Sequence, residues 1–143
     1  RIKLLNYMEL KIRKLTENDY PILVSWWKKW KWPVLPKEFL PNNGTGGYMI
    51  EKNNKQIVAG FTYLTSNSKV AWLEWIISNP YYKEKDRNEA IELLITTSEQ
   101  VCKKLGYSFM FSIGRNQNLI NKHKKLGWSV DNTRSHELVK KIN

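Results

Sequence analysis

The feature that most constrains this chain is a run of three apolar stretches with almost nothing between them. Residues 48–52, 56–65 and 70–78 are separated only by Asn53-Asn54-Lys55 and by Ser66-Asn67-Ser68-Lys69. Connections this short cannot carry a chain to a parallel neighbour, so the three stretches pair as an antiparallel meander. Asn tolerates the left-handed backbone that a tight hairpin loop needs, which puts a turn at Asn53-Asn54. The helical patterns on either side of the meander then cover its faces.

The remaining elements follow from periodicity and punctuation. Residues 8–15 set Leu10, Ile12 and Leu15 among charged residues, a half-buried first strand. Thr16-Glu17-Asn18-Asp19 is a helix-start cluster, and Ile22, Leu23, Trp26 and Trp30 recur at helical spacing behind it, which places Trp26 and Trp30 in the core. The prolines from Pro33 to Pro41 mark a loop with one short helical turn, and Asn42 to Gly47 a flexible turn. A second helix runs from about Arg87 to Leu105 and stops at Gly106; a strand follows over residues 107–113. Asn116 or Asn118 caps a last helix closed by Gly127, and residues 128–130 and 137–142 are expected as final strands. The order is β-α-(α)-β-β-β-α-β-α-β(-β), an α+β fold with a mixed, mostly antiparallel sheet and helices on both faces.

The 143 residues suit a single domain, expected over residues 8–143, with Met8 as the natural start and residues 1–7 as an N-terminal extension outside the fold. A content of 41% hydrophobic and 26% charged residues is that of a globular chain, and no stretch is apolar enough to span a bilayer. The single Cys102 can form no internal disulfide, which points to a reducing cytoplasm. With His123 and His136 as the only histidines, no Cys/His cluster supports a metal site. The net charge of +11 favours polyanionic partners, either nucleic acid or a cosubstrate bearing several phosphates.

The chemistry concentrates where the third strand of the meander hands over to the second helix. Trp75-Ile76-Ile77-Ser78-Asn79-Pro80 ends the strand, and Lys85-Asp86-Arg87-Asn88-Glu89-Ala90 opens the helix. A helix N-terminus at such a joint presents unpaired N–H groups at the positive end of its dipole, which suits a phosphate.

This joint, the element order and the run Asn116…His123…Gly127-Trp128 together resemble the GNAT superfamily of acetyl-CoA-dependent N-acetyltransferases, as a divergent member, from Met8 to Ile142. The resemblance places the family's pyrophosphate motif on Lys85-x-x-Asn88-x-Ala90, with Asn88 standing where the family has glycine and able to serve there if its backbone is left-handed. It implies that Lys85, Asp86, Arg87, Asn88, Glu89, Ala90 and Asn116 hold CoA. The backbone of Trp75, Ile76 and Ile77 would pair with the pantetheine amides. His123 falls where the family carries the acid that protonates the departing thiolate, and Glu74 where several members carry a general base. On strict alternation Glu74 shares its strand face with Trp72 and Ile76. Trp27 and Trp32 lie where the family builds its acceptor pocket, and an aromatic wall there favours flat or cationic acceptors.

The expected function is transfer of the acetyl group of acetyl-CoA to a primary amine of a small-molecule, peptide or aminoacyl acceptor, without a metal, by a monomer or homodimer. The alternative is a GNAT-like nucleic-acid-associated module using the basic charge and a Trp-rich surface for stacking.

Overall fold

The computed structural model describes residues 9–143; the expected extension over residues 1–7 lies outside them. Two compact units are present, one ending at Ile113 and the other spanning Gly114–Asn143.

The first unit holds a five-stranded sheet in the order β1 (Leu10–Lys14), β2 (Gly47–Lys52), β3 (Lys55–Leu64), β4 (Val70–Ser78), β5 (Phe109–Phe111). The first four strands are antiparallel in sequence order, and β5 joins β4 in parallel. Asn53 and Asn54, at φ +50° and +63°, make the expected hairpin turn, and Lys52 pairs with Lys55 across it. Helix α1 (Asp19–Lys29) precedes two short 3₁₀ turns, Lys37–Phe39 and Pro41–Gly44. Helix α2 (Arg87–Lys104) links β4 to β5.

The two helices cover opposite faces. On one face Leu23, Trp26 and Trp27 of α1 pack into a buried cluster with Met49, Ala59, Phe61 and Ile77. On the other, Gly60 approaches Leu94 of α2 together with Leu73 and Ile76. The helix phase differs from the sequence expectation. Leu23, Trp26 and Trp27 form the inward stripe, and Trp30 is 40% exposed at the helix end, its indole N–H donating to the Ser78 carbonyl at 2.8 Å. Trp27 is four residues beyond Leu23 and so shares its face, whereas Trp30 lies past the last α1 residue.

A charged cluster fixes where α1 leaves the sheet. Arg13 donates to both Asp19 oxygens at 2.8 Å and to Glu51, and the Thr16 amide adds a 2.8 Å bond to Asp19. Burial pushes the Asp19 carboxyl toward a higher pKa, but the bonds from Arg13 and Thr16 outweigh it and hold the group below its ordinary 3.8. Asp86 is depressed too: burial raises it, and Lys52 and Tyr82 more than compensate. A carboxyl depressed in the folded state stabilises the fold above its unfolded pKa and loses that contribution as pH falls through the folded value. Urea midpoints should therefore be flat above about pH 5 and fall steadily below about pH 4. The Asp19→Asn, Asp86→Asn double variant should show a shallower acid limb, and an unchanged limb would contradict this account.

Helix α2 ends on Gly106 at φ +96°, where the Tyr107 amide donates to the Cys102 carbonyl. Strand β5 is shorter than residues 107–113, because that closure uses the Tyr107 amide and the Ile113 amide donates to Glu74.

The second unit holds α3 (Gln117–Lys125) and the segment after it. The final strands expected over residues 128–130 and 137–142 are absent; the described chain there is irregular. Leu138, Val139 and Ile142 are 92%, 71% and 90% exposed, and their spacing does not keep the two-residue period that would turn one face inward. Among the described residues no helix is long and apolar enough to cross a membrane, and no group of His, Cys, Asp and Glu could hold a metal ion.

Candidate active site at the β4 bulge

Strand β4 does not keep its alternation. Ala59 pairs with Ile77 and Phe61 with Glu74, so Gly60 alone stands opposite Trp75 and Ile76, a β-bulge. Trp75 takes the extra position at φ +56°, a left-handed backbone that a bulky residue adopts only under strain of about 1–3 kcal/mol. The consequence is a change of face. Trp72, Glu74 and Trp75 look toward the α1 side, where Trp75 packs on the same cluster as Ile77, while Leu73 and Ile76 meet Leu94 on the α2 side. Ile76 therefore does not share the face of Glu74 as strict alternation would have it.

A chain of contacts pins the strained residue. The Trp75 indole N–H donates to the Tyr63 hydroxyl at 2.9 Å, and that hydroxyl donates to the Phe39 carbonyl at 3.0 Å. The Phe39 ring lies 5.9 Å from that of Trp75. Burial raises the pKa of Tyr63 and the Glu74 charge adds to it, keeping the phenol neutral and able to donate. The 3₁₀ turn at Lys37–Phe39 is thereby tied to β3 and to the bulge of β4.

These residues line a cleft of about 410 Å³: Phe39, Tyr63, Trp72, Glu74 and Trp75. Glu74 is 6% exposed and accepts the Ile113 amide at 2.7 Å. The β4–β5 ladder covers only Val70 to Trp72, with Trp72 stacked on Phe111 at 4.7 Å, and does not extend over Ile76 and Ile77. The two strands part where the bulge begins, and a buried carboxylate stands at the parting.

Beyond β4 the chain turns on Asn79, whose side chain donates to the Gln56 carbonyl and accepts the Tyr81 amide. Tyr82 is buried, and its hydroxyl donates to Asp86 at 2.7 Å; Lys52 holds the other Asp86 oxygen at 2.8 Å. Asp86 stands at the N-cap of α2, yet its side chain makes no capping bond, being turned to Lys52 and Tyr82. Lys85, Asn88 and Glu89 are exposed, Arg87 is half-buried, and Ala90 is buried. Asn88 lies inside α2 and is not among the left-handed residues, so it does not reproduce the backbone of the glycine it replaces. A first helical turn holds any residue near ordinary helical φ and ψ.

In the second unit, the Asn116 side chain caps α3 by accepting the Leu119 amide at 2.9 Å. At the far end Gly127, at φ +93°, closes the helix: its amide donates to the Lys124 carbonyl and the Trp128 amide to the His123 carbonyl. Trp128 packs edge-on against the His123 ring at 4.7 Å. The run Asn116…His123…Gly127-Trp128 is thus helix punctuation from cap to cap. His123 is 5% exposed; its Nδ1 lies 2.8 Å from the Leu119 carbonyl, which fixes the proton there, and Nε2 is buried without a hydrogen-bond partner among the described residues.

Of the expected aromatic wall, Trp27 is fully buried in the core and Trp32 is half-buried against it. The aromatic surface of the cleft comes instead from Phe39, Tyr63, Trp72 and Trp75. Nothing local in the sequence marks Phe39, or Tyr63, which β3 sets opposite Trp72 of β4.

No protein-family model and no curated protein sequence matches this chain. Solved structures do. An aminoglycoside acetyltransferase, meta-AAC0020, from an uncultured soil metagenomic sample, in complex with sisomicin, superposes with a TM-score of 0.66 at 13% identity over 93% of this chain and 97% of that one. The ribosomal-protein-S18-alanine N-acetyltransferase from Escherichia coli gives 0.65 at 20% identity over 82% and 76%. AAC(6')-Iy in complex with the bisubstrate analog CoA-S-monomethyl-acetylneamine gives 0.62 at 18% identity over 92% and 98%. The chain has the GNAT fold.

Proposed function

We propose that the protein is an N-acetyltransferase that moves the acetyl group of acetyl-CoA to a primary amine of a small-molecule, peptide or aminoacyl acceptor. The observation that carries this reading is the buried Glu74 carboxylate in an aromatic cleft, at the point where β4 and β5 part. The fold supports it, as does the CoA-derived analog seen in a protein of the same fold.

The residues present fit the cosubstrate. The α2 N-terminus has no side-chain cap; the Arg87 amide donates to the Glu84 carbonyl, and the Asn88 and Glu89 amides behind it are the ones that would meet phosphate oxygens, with Lys85 and Arg87 beside them. The Lys52–Asp86–Tyr82 contacts keep the Asp86 carboxylate turned away from those amides. The backbone of Trp75, Ile76 and Ile77, past the end of the β4–β5 ladder, is where a pantetheine arm would add as a strand. Asn116 is left as the cap of α3. When bound, acetyl-CoA supplies an acetyl group activated as a thioester.

Glu74 accepts a proton from the acceptor's ammonium and frees the nitrogen lone pair for attack. His123 holds one proton at Nδ1 on the Leu119 carbonyl, so Nε2 is the atom that carries and releases the second.

Incubation with acetyl-CoA and a panel of primary amines tests the reading, with free thiol and acetylated product measured together. Amine-dependent thiol release in equal amount with product is expected. Thiol release that no amine accelerates, or none at all, would contradict it.

A further inference from the structure

We infer that the end of α1 and the turn after β4 form a surface that binds single-stranded nucleic acid, apart from the cleft and independent of acetyl transfer. Two contacts join these segments into one surface. The Trp30 indole N–H donates to the Ser78 carbonyl at 2.8 Å, and the Lys29 ammonium stands over the Tyr81 ring, 5.7 Å from its centroid. Trp30 is 40% and Tyr81 65% exposed. Asn79 fixes the turn that carries Tyr81: its side chain accepts the Tyr81 amide and donates to the Gln56 carbonyl. None of Lys29, Trp30 and Tyr81 lines the cleft.

Charge and ring chemistry select the partner. Lys28, Lys29 and Lys31 are exposed on either side of Trp30, and no acidic residue lies in sequence between Asp19 and Glu38. Beyond Tyr81, the exposed Lys83 and Lys85 flank Glu84, and the Asp86 carboxylate is taken by Lys52 and Tyr82. The surface is therefore positive, in a chain of net charge +11, and suits a polyanion. Lysines alone would hold any phosphate chain, a duplex included. Two exposed rings among them add stacking faces, and unpaired bases have free faces to meet them. The one polar atom of Trp30 is already bonded, so the ring offers a face and no hydrogen bond, which favours stacking without base identity. An anionic membrane calls for rings free to sink among headgroups, whereas Trp30 is tied by its indole edge to the end of β4.

Fluorescence anisotropy of a labelled oligo-dT of about 12 nucleotides, followed over a salt series, tests this. Tyr81→Ala should weaken binding about tenfold at fixed salt and leave the salt dependence unchanged. Replacing Lys28, Lys29 and Lys31 together by Ala should lower the slope of log K against log salt by about 2. Replacing Lys103, Lys104 and Lys124 by Ala removes the same charge elsewhere and should leave the slope as it was. All these side chains are exposed, so urea midpoints report that each variant is folded. No binding, equal losses from the two lysine triples, or a Tyr81→Ala protein that binds as well as the original would overturn the inference. So would tighter binding of phosphatidylserine vesicles than of oligo-dT, or displacement of the oligonucleotide by acetyl-CoA, which would put it at the α2 N-terminus. Oligo-dT binding that persists under saturating acetyl-CoA is expected. Oligo-dT binding in a protein that takes no acetyl-CoA keeps this surface and removes acetyl transfer alone.

Discussion

Glu74→Gln should lower kcat/KM for amine acetylation by about 10²–10⁴-fold, the usual contribution of a positioned general base, while leaving acetyl-CoA affinity within about twofold. The substitution keeps size and shape, and the amide oxygen of Gln can still accept the Ile113 amide that Glu74 accepts at 2.7 Å. What it removes is the lone pair that takes a proton. The loss should shrink as pH rises, because an alkyl ammonium with a pKa near that of lysine, about 10.4, increasingly arrives already neutral. A pH series of both proteins distinguishes this from misfolding, which would lower activity by the same factor at every pH. Unchanged kcat/KM at neutral pH would show that the acceptor's proton leaves by another route.

Asp19→Ala should cost about 3 kcal/mol of stability, measured by urea unfolding with an unchanged m-value. The Asp19 side chain is 3% accessible, and it gathers two bonds from Arg13 and one from the Thr16 amide at the junction of β1 and α1. Removing it leaves Arg13 half-paired and the Thr16 amide without its partner. The expected cost sits at the lower end for broken buried pairs because the Arg13 side chain is 33% accessible and water partly replaces the lost partner. Glu51→Ala should cost less, its side chain being 20% accessible with bonds at 2.9 and 3.2 Å to the same arginine. A larger loss at Glu51 than at Asp19 would show that burial does not rank these contacts.

The sequence carried those parts of the fold that local chemistry decides. Asn53-Asn54 and the short second turn dictate the meander, and Gly106 and Gly127 end α2 and α3 because only a residue tolerant of positive φ closes a helix this way. The choice of tryptophans was not local. Trp26, Trp27 and Trp30 all lie within reach of one helical stripe, and the helix's last turn decided that Trp27 goes in and Trp30 binds the Ser78 carbonyl at the rim. The bulge was hidden for a related reason. Tryptophan does not favour φ +56°, so no residue signal marks Trp75; the conformation is imposed by β3 opposite and held through Tyr63. With the bulge unseen, alternation put Ile76 beside Glu74, and the cleft's real wall, Phe39, Tyr63, Trp72 and Trp75, stayed scattered across three elements.

The helix-opening loop shows the opposite lesson. Lys85-x-x-Asn88-x-Ala90 could be aligned by position, but whether Asn88 stands in for a glycine is a matter of backbone, and Asn88 is helical. The loop is instead organised by Tyr82, Asp86 and Lys52, and Lys52 comes from β2. Contacts between residues so distant in sequence leave no periodic trace. The absent strands at the chain's end are similar: apolar residues at 138, 139 and 142 invite a strand, but their spacing gives it no single face.

Thermal unfolding in the presence of ligands measures most directly whether acetyl-CoA binds where β4 and β5 part, with its phosphates at the α2 N-terminus. Acetyl-CoA and CoA at a hundredfold excess over Kd should each stabilise the protein by about 2.7 kcal/mol, with an adenine nucleotide at the same concentration giving clearly less because it lacks the pantetheine arm. Acetyl-CoA that leaves the unfolding midpoint where it was, or an adenine nucleotide that matches it, would contradict the account.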